Sequence, residues 1–156
     1  MSGELVYQDP AGRFAFCYPA DMQLGTDTGP TSAVHGIAAG VRYPLDGEAD
    51  SLAVSLVWQS TPSSIDGRPC TSGEFIVKEE RVEPFVISGL SGQACFQDRR
   101  RPDEPEVIWR KDIRVEVPLP KAGYAVVDIT YAPSFTRAGR TVDEMISRFL
   151  QSTLLN

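Results

Sequence analysis

The stretch Val107-Ile108-Trp109-Arg110-Lys111-Asp112-Ile113-Arg114-Val115-Glu116-Val117 decides the fold of this chain. Its odd-numbered positions are apolar except Lys111, and its even-numbered positions are charged except Ile108. A period of two held over this length marks a strand with one face in a core and one face outside it. Pro118 to Gly123 turns the chain, and Tyr124 to Tyr131 runs back with Ala125, Val127, Ile129 and Tyr131 on one side. So short a connection makes the two strands antiparallel neighbours. Inward residues must then stand opposite inward residues, which leaves only alternate registers open. One of these sets Asp112 against Asp128, two like charges. The next sets Arg114 against Asp128 and Asp112 against Thr130, which the cross-strand charge rule favours. The sequence therefore predicts Arg114 and Asp128 as neighbours on the face turned away from the C-terminal helix.

That helix follows directly. Thr141 and Glu144 form a Thr-x-x-Glu capping box, and Val142, Met145, Ile146, Phe149, Leu150 and Thr153-Leu154 recur at helical spacing. Their stripe is predicted to lie on the apolar face of the sheet. Upstream, Leu5 to Gln8 and Arg13 to Tyr18 read as a hairpin about the turn Asp9-Pro10-Ala11-Gly12, with Phe14, Phe16 and Tyr18 on one face. Residues 20–35 read as a surface loop with one helical turn at Ala20 to Met22. Gly36 to Tyr43 and Leu52 to Trp58 alternate as strands around a polar turn. Ser60 to Ser72 reads as a long loop, and Glu74 to Val82 is open between helix and strand. Phe85 to Ile87 and Gly92 to Gln97 are strands around Gly89. Arg99 to Pro105 is expected as a polar turn or frayed loop, and Trp58 and Trp109 as core residues.

The chain has 156 residues, 42% hydrophobic and 23% charged, which suits a single domain over 1–156 with a real core. Fifteen basic against 21 acidic residues leave a net charge of −6, which argues against nucleic acid and anionic lipid as partners. No apolar run reaches the length of a membrane span, so no transmembrane segment is expected. The opening Met1-Ser2-Gly3-Glu4 fits either a natural start or a chain from which a signal or lipid-anchor segment has been removed.

Chemistry-bearing clusters are few. Cys17, Cys70 and Cys95 lack metal-type spacing, and His35 is the sole histidine, so neither a metal site nor a cofactor is expected. In an oxidising compartment Cys70 and Cys95 are the candidate disulfide, with Cys17 a small buried hydrophobe; otherwise all three are buried thiols. His35, with Ser32 nearby, is a candidate pocket residue, against the plainer reading of a loop or strand-edge histidine. No nucleophile elbow, zincin motif, P-loop or dinucleotide fingerprint is present. Arg110, Asp112, Arg114 and Glu116, with Asp128 from the next strand, read first as a salt-bridge ladder. Left uncovered by a helix, the same face becomes a polar pocket or a protein-docking surface. Arg99-Arg100-Arg101, flanked by Asp98 and Asp103-Glu104, reads as a solvated loop.

The pattern Tyr7-x-Asp9-x-x-Gly12-x-Phe14-x-Phe16-x-Tyr18-Pro19 resembles the opening of PsbP-like domains. So do the step Ile87-Ser88-Gly89-Leu90-Ser91-Gly92, the strand Gly123 to Val127, and the closing Ile146-x-x-Phe149-x-x-Ser152. The resemblance spans nearly the whole chain. It implies an α+β fold, a meandering antiparallel sheet with a C-terminal helix packed on one face, within an α/β/α sandwich. The family places a helix between Trp58 and Glu83, where this sequence carries little helical periodicity. Its members include a photosystem II extrinsic subunit, a Ran-binding nuclear-import factor and bacterial envelope proteins or lipoproteins, and they share no chemistry. The expectation is a non-enzymatic binding or accessory domain, extracytoplasmic, engaging a protein partner, as monomer or dimer. Two alternatives stand beside it: a small-ligand binder or enzyme with a cleft near the 20–35 loop, and an immunity or chaperone-like partner of a secreted effector.

Overall fold

In the computed structural model, which describes residues 3–27, 38–43, 51–62 and 76–156, most of the chain is antiparallel sheet. In chain order the strands are β1 (Glu4–Gln8), β2 (Phe14–Pro19), β3 (Gln23–Asp27), β4 (Ala38–Tyr43), β5 (Leu52–Gln59) and β6 (Ile76–Ile87). Then come β7 (Leu90–Arg101), β8 (Glu104–Pro118), β9 (Tyr124–Tyr131), β10 (Thr136–Arg137), β11 (Arg140–Thr141), helix α1 (Val142–Ser152) and β12 (Leu154–Leu155). Seven strands form one sheet in the order β3-β4-β5-β9-β8-β7-β6. Two meanders, β3 to β5 and β6 to β9, are thus joined by the pairing of β5 with β9. A second layer, made of the sheet β1-β2-β12 and helix α1, covers the inner face. The fold is α+β.

The core lies between these layers. Phe14, Phe16 and Tyr18 of β2 meet Val41, Val54, Leu56, Val115, Val117, Val127 and Ile129 of the large sheet. Val142, Met145, Ile146 and Phe149 fill the same core from α1, while Leu150 is only half-buried. The capping box forms: the Glu144 amide donates to Thr141 Oγ1 at 3.2 Å, and the Thr141 amide donates to Glu144 Oε2 at 3.1 Å. The helix stops at Ser152, and Thr153 is an extended C-cap whose hydroxyl donates to the Phe149 carbonyl at 2.8 Å. The apolar stripe therefore ends one turn earlier than its spacing suggests, because Leu154 and Leu155 leave the helix to pair with β2.

The decisive hairpin has the expected register, with Arg114 opposite Asp128 and Asp112 opposite Thr130. Elsewhere the strands reach further than their patterns. Gln23 to Asp27, expected in a loop, is edge strand β3, paired with β4 through Gly25 and Gly40. The described part of the open 74–82 segment is strand: β6 runs from Ile76 against β7. The arginine run is strand as well, since β7 continues through Arg101 and turns at Pro102-Asp103 into β8. Charge hid this extension: Arg99 pairs with Asp112 and Lys111 with Asp98, so the ribbon is held by cross-strand ions rather than apolar alternation. Trp109 lies on this ribbon, outside the core, beneath the Arg101 guanidinium at 4.6 Å from the ring centre. Trp58 is half-buried against the core, its Nε1 donating to the Ala122 carbonyl and its ring stacked under Arg13 at 3.8 Å. At Ser88-Gly89 both residues have positive φ, 54° and 74°, the geometry a two-residue hairpin demands.

One polar cluster ties the layers together. Tyr43 donates its hydroxyl to Asp21 Oδ1 at 2.6 Å, and Arg137 Nε donates to Asp21 Oδ2 at 2.7 Å. The Tyr43 bond, with that guanidinium beside it, holds the Asp21 carboxyl below its ordinary value. On the outside of the small sheet Arg148 does the same to Glu4 through paired hydrogen bonds at 2.9 and 2.7 Å. A carboxyl lowered in the folded state contributes stability above its unfolded pKa, and that contribution fades as pH falls through the lower, folded value. Asp21→Asn and Glu4→Gln are therefore expected to destabilise at neutral pH, and not at a pH where both carboxyls are protonated. Urea melts at the two pH values check this. Both sites are largely open to solvent, so each effect stays within about 1 kcal/mol.

Candidate functional site

The outer face of the large sheet is built from the residues that alternate with the core positions. Two adjacent rows cross it at the site. The central row runs Gly25, Gly40, Ser55, Asp128, Arg114, Cys95 and Val82, each paired with the next. Beside it run Gln23, Arg42, Ala53, Thr130, Asp112, Gln97 and Glu80 by the same pairings. Over β3, β4 and β5 the side chains of these two rows are mostly small or absent. Over β9 and β8 they are larger and, except for Thr130, charged. The step between the two halves makes a groove of about 390 Å³, with Gly25, Gly40, Ala53 and Ser55 in it, Arg42 and Gln23 at one side, and Asp128 and Thr130 at the other.

Asp128 is the unusual group here. Its side chain is 43% accessible, and its ion-pair partner is Arg114, whose Nη1 stands 3.6 Å from Oδ2. That is too long for a good charge-assisted hydrogen bond. Among the described residues nothing donates a hydrogen bond to this carboxylate. Water enters the groove and reaches the side chain, yet protein surrounds it on most sides, and this desolvation raises the pKa of the Asp128 carboxyl. Arg114 opposes the rise and Asp112 adds to it. The folded protein thus disfavours the charge on Asp128, the reverse of Asp21 and Glu4. Asp128→Asn is expected to leave stability at neutral pH unchanged or slightly higher, measured by chemical denaturation. A clear loss would make Asp128 a structural residue. A carboxyl kept where it does not help the fold is a functional candidate.

The other expected ladder residues are arranged differently. Arg110 is buried, 4% accessible, rather than displayed; its Nε and Nη2 lie 3.4 and 3.3 Å from Thr130 Oγ1, and its stem lies along the sheet. Glu116 and Val126 are buried on the same face. Asp112 is half-buried and bonded by Arg99 Nε. The face is therefore no uniform solvated ladder. Arg114 and Asp128 are brought together beside the groove, Asp112 flanks them, and Arg110 donates to Thr130 from the neighbouring strand.

His35 and Cys70 lie outside the described residues. Cys95, on the outer face of β7, is disulfide-bonded and buried. Cys17 is a free thiol, half-buried rather than fully enclosed, because it alternates with Phe16 and Tyr18 on the outer side of β2. Among the described residues no group of three or more His, Cys, Asp or Glu side chains could hold a metal ion. Among them, too, no helix is long and apolar enough to cross a membrane.

Gly25, Gly40, Ser55, Arg42 and Thr130 are absent from the candidates that sequence alone suggests. A faint signal exists in Ala53 and Ser55, small residues on the outward positions of an otherwise bulky strand. Their alignment with two glycines becomes visible only once the registers are known. No protein-family model and no curated protein matches the sequence.

Proposed function

We propose that this chain is a non-enzymatic binding domain of PsbP-like build whose binding site is the groove on the outer face of the seven-stranded sheet. The observation that carries this reading is Asp128: a carboxylate to which no described residue donates a hydrogen bond, on the wall of a groove cleared by small residues. Hydroxyls of Ser55 and Thr130, the Gln23 amide and the Arg42 guanidinium surround the same space. These groups bind and orient, and they stand on paired strands that hold their spacing. The groove abuts β3, within the 20–35 segment, and its volume lies in the range of small-molecule sites. That favours a small polar ligand as the occupant. A protein partner is the second reading, supported by the net charge of −6, which suits a basic segment. The disulfide at Cys95 supports an oxidising, extracytoplasmic setting, in keeping with the bacterial envelope members of the PsbP-like group.

The test fills the groove. A side chain at Gly25 meets no atom within 4 Å of its Cβ, so Gly25→Phe can occupy the groove from an edge strand. In a thermal-shift screen of small polar compounds, those that stabilise the natural protein are expected to lose their effect on Gly25→Phe, whose own melting changes little. Equal stabilisation of both proteins, or no stabilising compound at all, would overturn the small-ligand reading. A defined basic protein released by Gly25→Phe in that second case would establish the second reading in its place.

A further inference from the structure

We propose that the groove recognises a small zwitterion, an amino acid or dipeptide whose ammonium meets Asp128 and whose carboxylate meets Arg42. This rests on the groove being the binding site, and it names the ligand's chemistry.

The two walls carry opposite charge. Asp128 stands on β9 and Arg42 on β4, with β5 between them, so two strand spacings of about 4.8 Å separate their backbones. Between them the cleared positions Gly40, Ala53 and Ser55 leave room for a short chain and offer one hydroxyl. A ligand with a single charge satisfies one wall and leaves the other facing it with the wrong sign or none. A ligand with both charges, set one or two residue lengths apart, satisfies both. The Asp128 carboxylate accepts no hydrogen bond from a described residue, so an ammonium would supply the missing donors. Arg42 has interactions of its own. A ligand carboxylate would share the guanidinium's fork of five N–H donors with them. Thr130, whose hydroxyl accepts from Arg110 on the neighbouring strand, lines the same space and can donate its own proton to the ligand's backbone.

Acid pH opposes this recognition. Among the described residues the charged groups facing Asp128 are Arg114 and Asp112 of β8. Its neighbours on β5, Ala53, Ser55 and Val57, and on its own strand, Val126 and Thr130, are uncharged. Burial has raised the Asp128 carboxyl, and an ammonium needs it ionised, so affinity falls as pH drops through that raised value.

The experiment is an amide NMR titration with three probes: glycylglycine, N-acetyl-glycylglycine, which lacks the ammonium, and glycylglycinamide, which lacks the carboxylate. Glycylglycine is expected to move the Ser55, Asp128 and Thr130 amides saturably. Removing either charge should weaken binding about tenfold, the usual worth of one charged hydrogen bond. In Asp128→Asn the acetylated and free dipeptides should bind alike, and in Arg42→Gln the amide and free dipeptides should do so. Affinity for glycylglycine should rise as pH climbs through the raised Asp128 value in the natural protein and stay flat in Asp128→Asn. Unchanged amide dispersion in both variants shows that they fold. Saturation that ignores both end groups, or no saturable shift at millimolar probe, would overturn the zwitterion. The groove itself survives that outcome if compounds of the thermal screen still lose their effect on Gly25→Phe, and falls with it if they do not.

Discussion

Phe149→Ala is expected to remove about 3–5 kcal/mol of stability, the range for truncating a buried aromatic side chain. Phe149 is 6% accessible, and its ring centre lies 4.9 Å from that of Phe16 at an interplanar angle of 47°. It is the point where α1 meets β2, and its carbonyl accepts from both Ser152 and Thr153. The alanine variant keeps those backbone bonds and loses only the ring, so the cost reads packing and cavity rather than capping. Urea denaturation checks it as a drop in midpoint with an unchanged slope. Leu154→Ala is the control: Leu154 is 63% accessible and should stay within about 0.5 kcal/mol. A loss below about 1 kcal/mol for Phe149→Ala would contradict the placement of α1 in the core.

Gly92→Ala should cost nearly as much, at the upper end of the about 1–3 kcal/mol usual for overpacking, or more. Gly92 sits on the inward face of β7, and a methyl there would overlap the Glu116 carbonyl oxygen and come to 2.7 Å from Val117 Cγ2. The obstacle is the backbone of β8, at the centre of the sheet, so no side-chain rotation relieves it. Gly25→Ala is the contrast, since its added methyl meets nothing within 4 Å. A thermal melt of both variants should show a large drop for Gly92→Ala and a small one for Gly25→Ala. Equal drops would mean that the cross-strand approach does not set the cost.

Much of the architecture was legible because burial imposes a period. The alternation from Val107 to Val117 required a strand, the stripe from Val142 to Phe149 required a helix, and like-charge repulsion between Asp112 and Asp128 was enough to choose the register of the last hairpin. The pattern failed where something other than burial holds a strand. Residues 99–105 are charged on both faces and pair through Arg99–Asp112 and Lys111–Asp98, so no apolar alternation announces them. β3 is an edge strand whose Gly25 has no side chain to alternate, and it reads as loop. The environments of Arg110 and Trp109 lie beyond the strand pattern for one reason. A strand pattern gives the face of a residue, but how far that face is covered depends on elements distant in sequence.

The same limit governs the site. By itself the sequence determined the hairpin, the helix with its cap, the pairing of Arg114 with Asp128 and the poverty of catalytic motifs, because each rests on local periodicity or on charges in adjoining strands. Only the tertiary structure decided that β5 pairs with β9, strands far apart in the chain, which sets Gly25, Gly40, Ser55 and Asp128 in one row. A groove is an absence of side chains at positions far apart in sequence. No local pattern encodes which absences will be neighbours, and the desolvation that sets the Asp128 carboxyl apart exists only once those strands have closed around it.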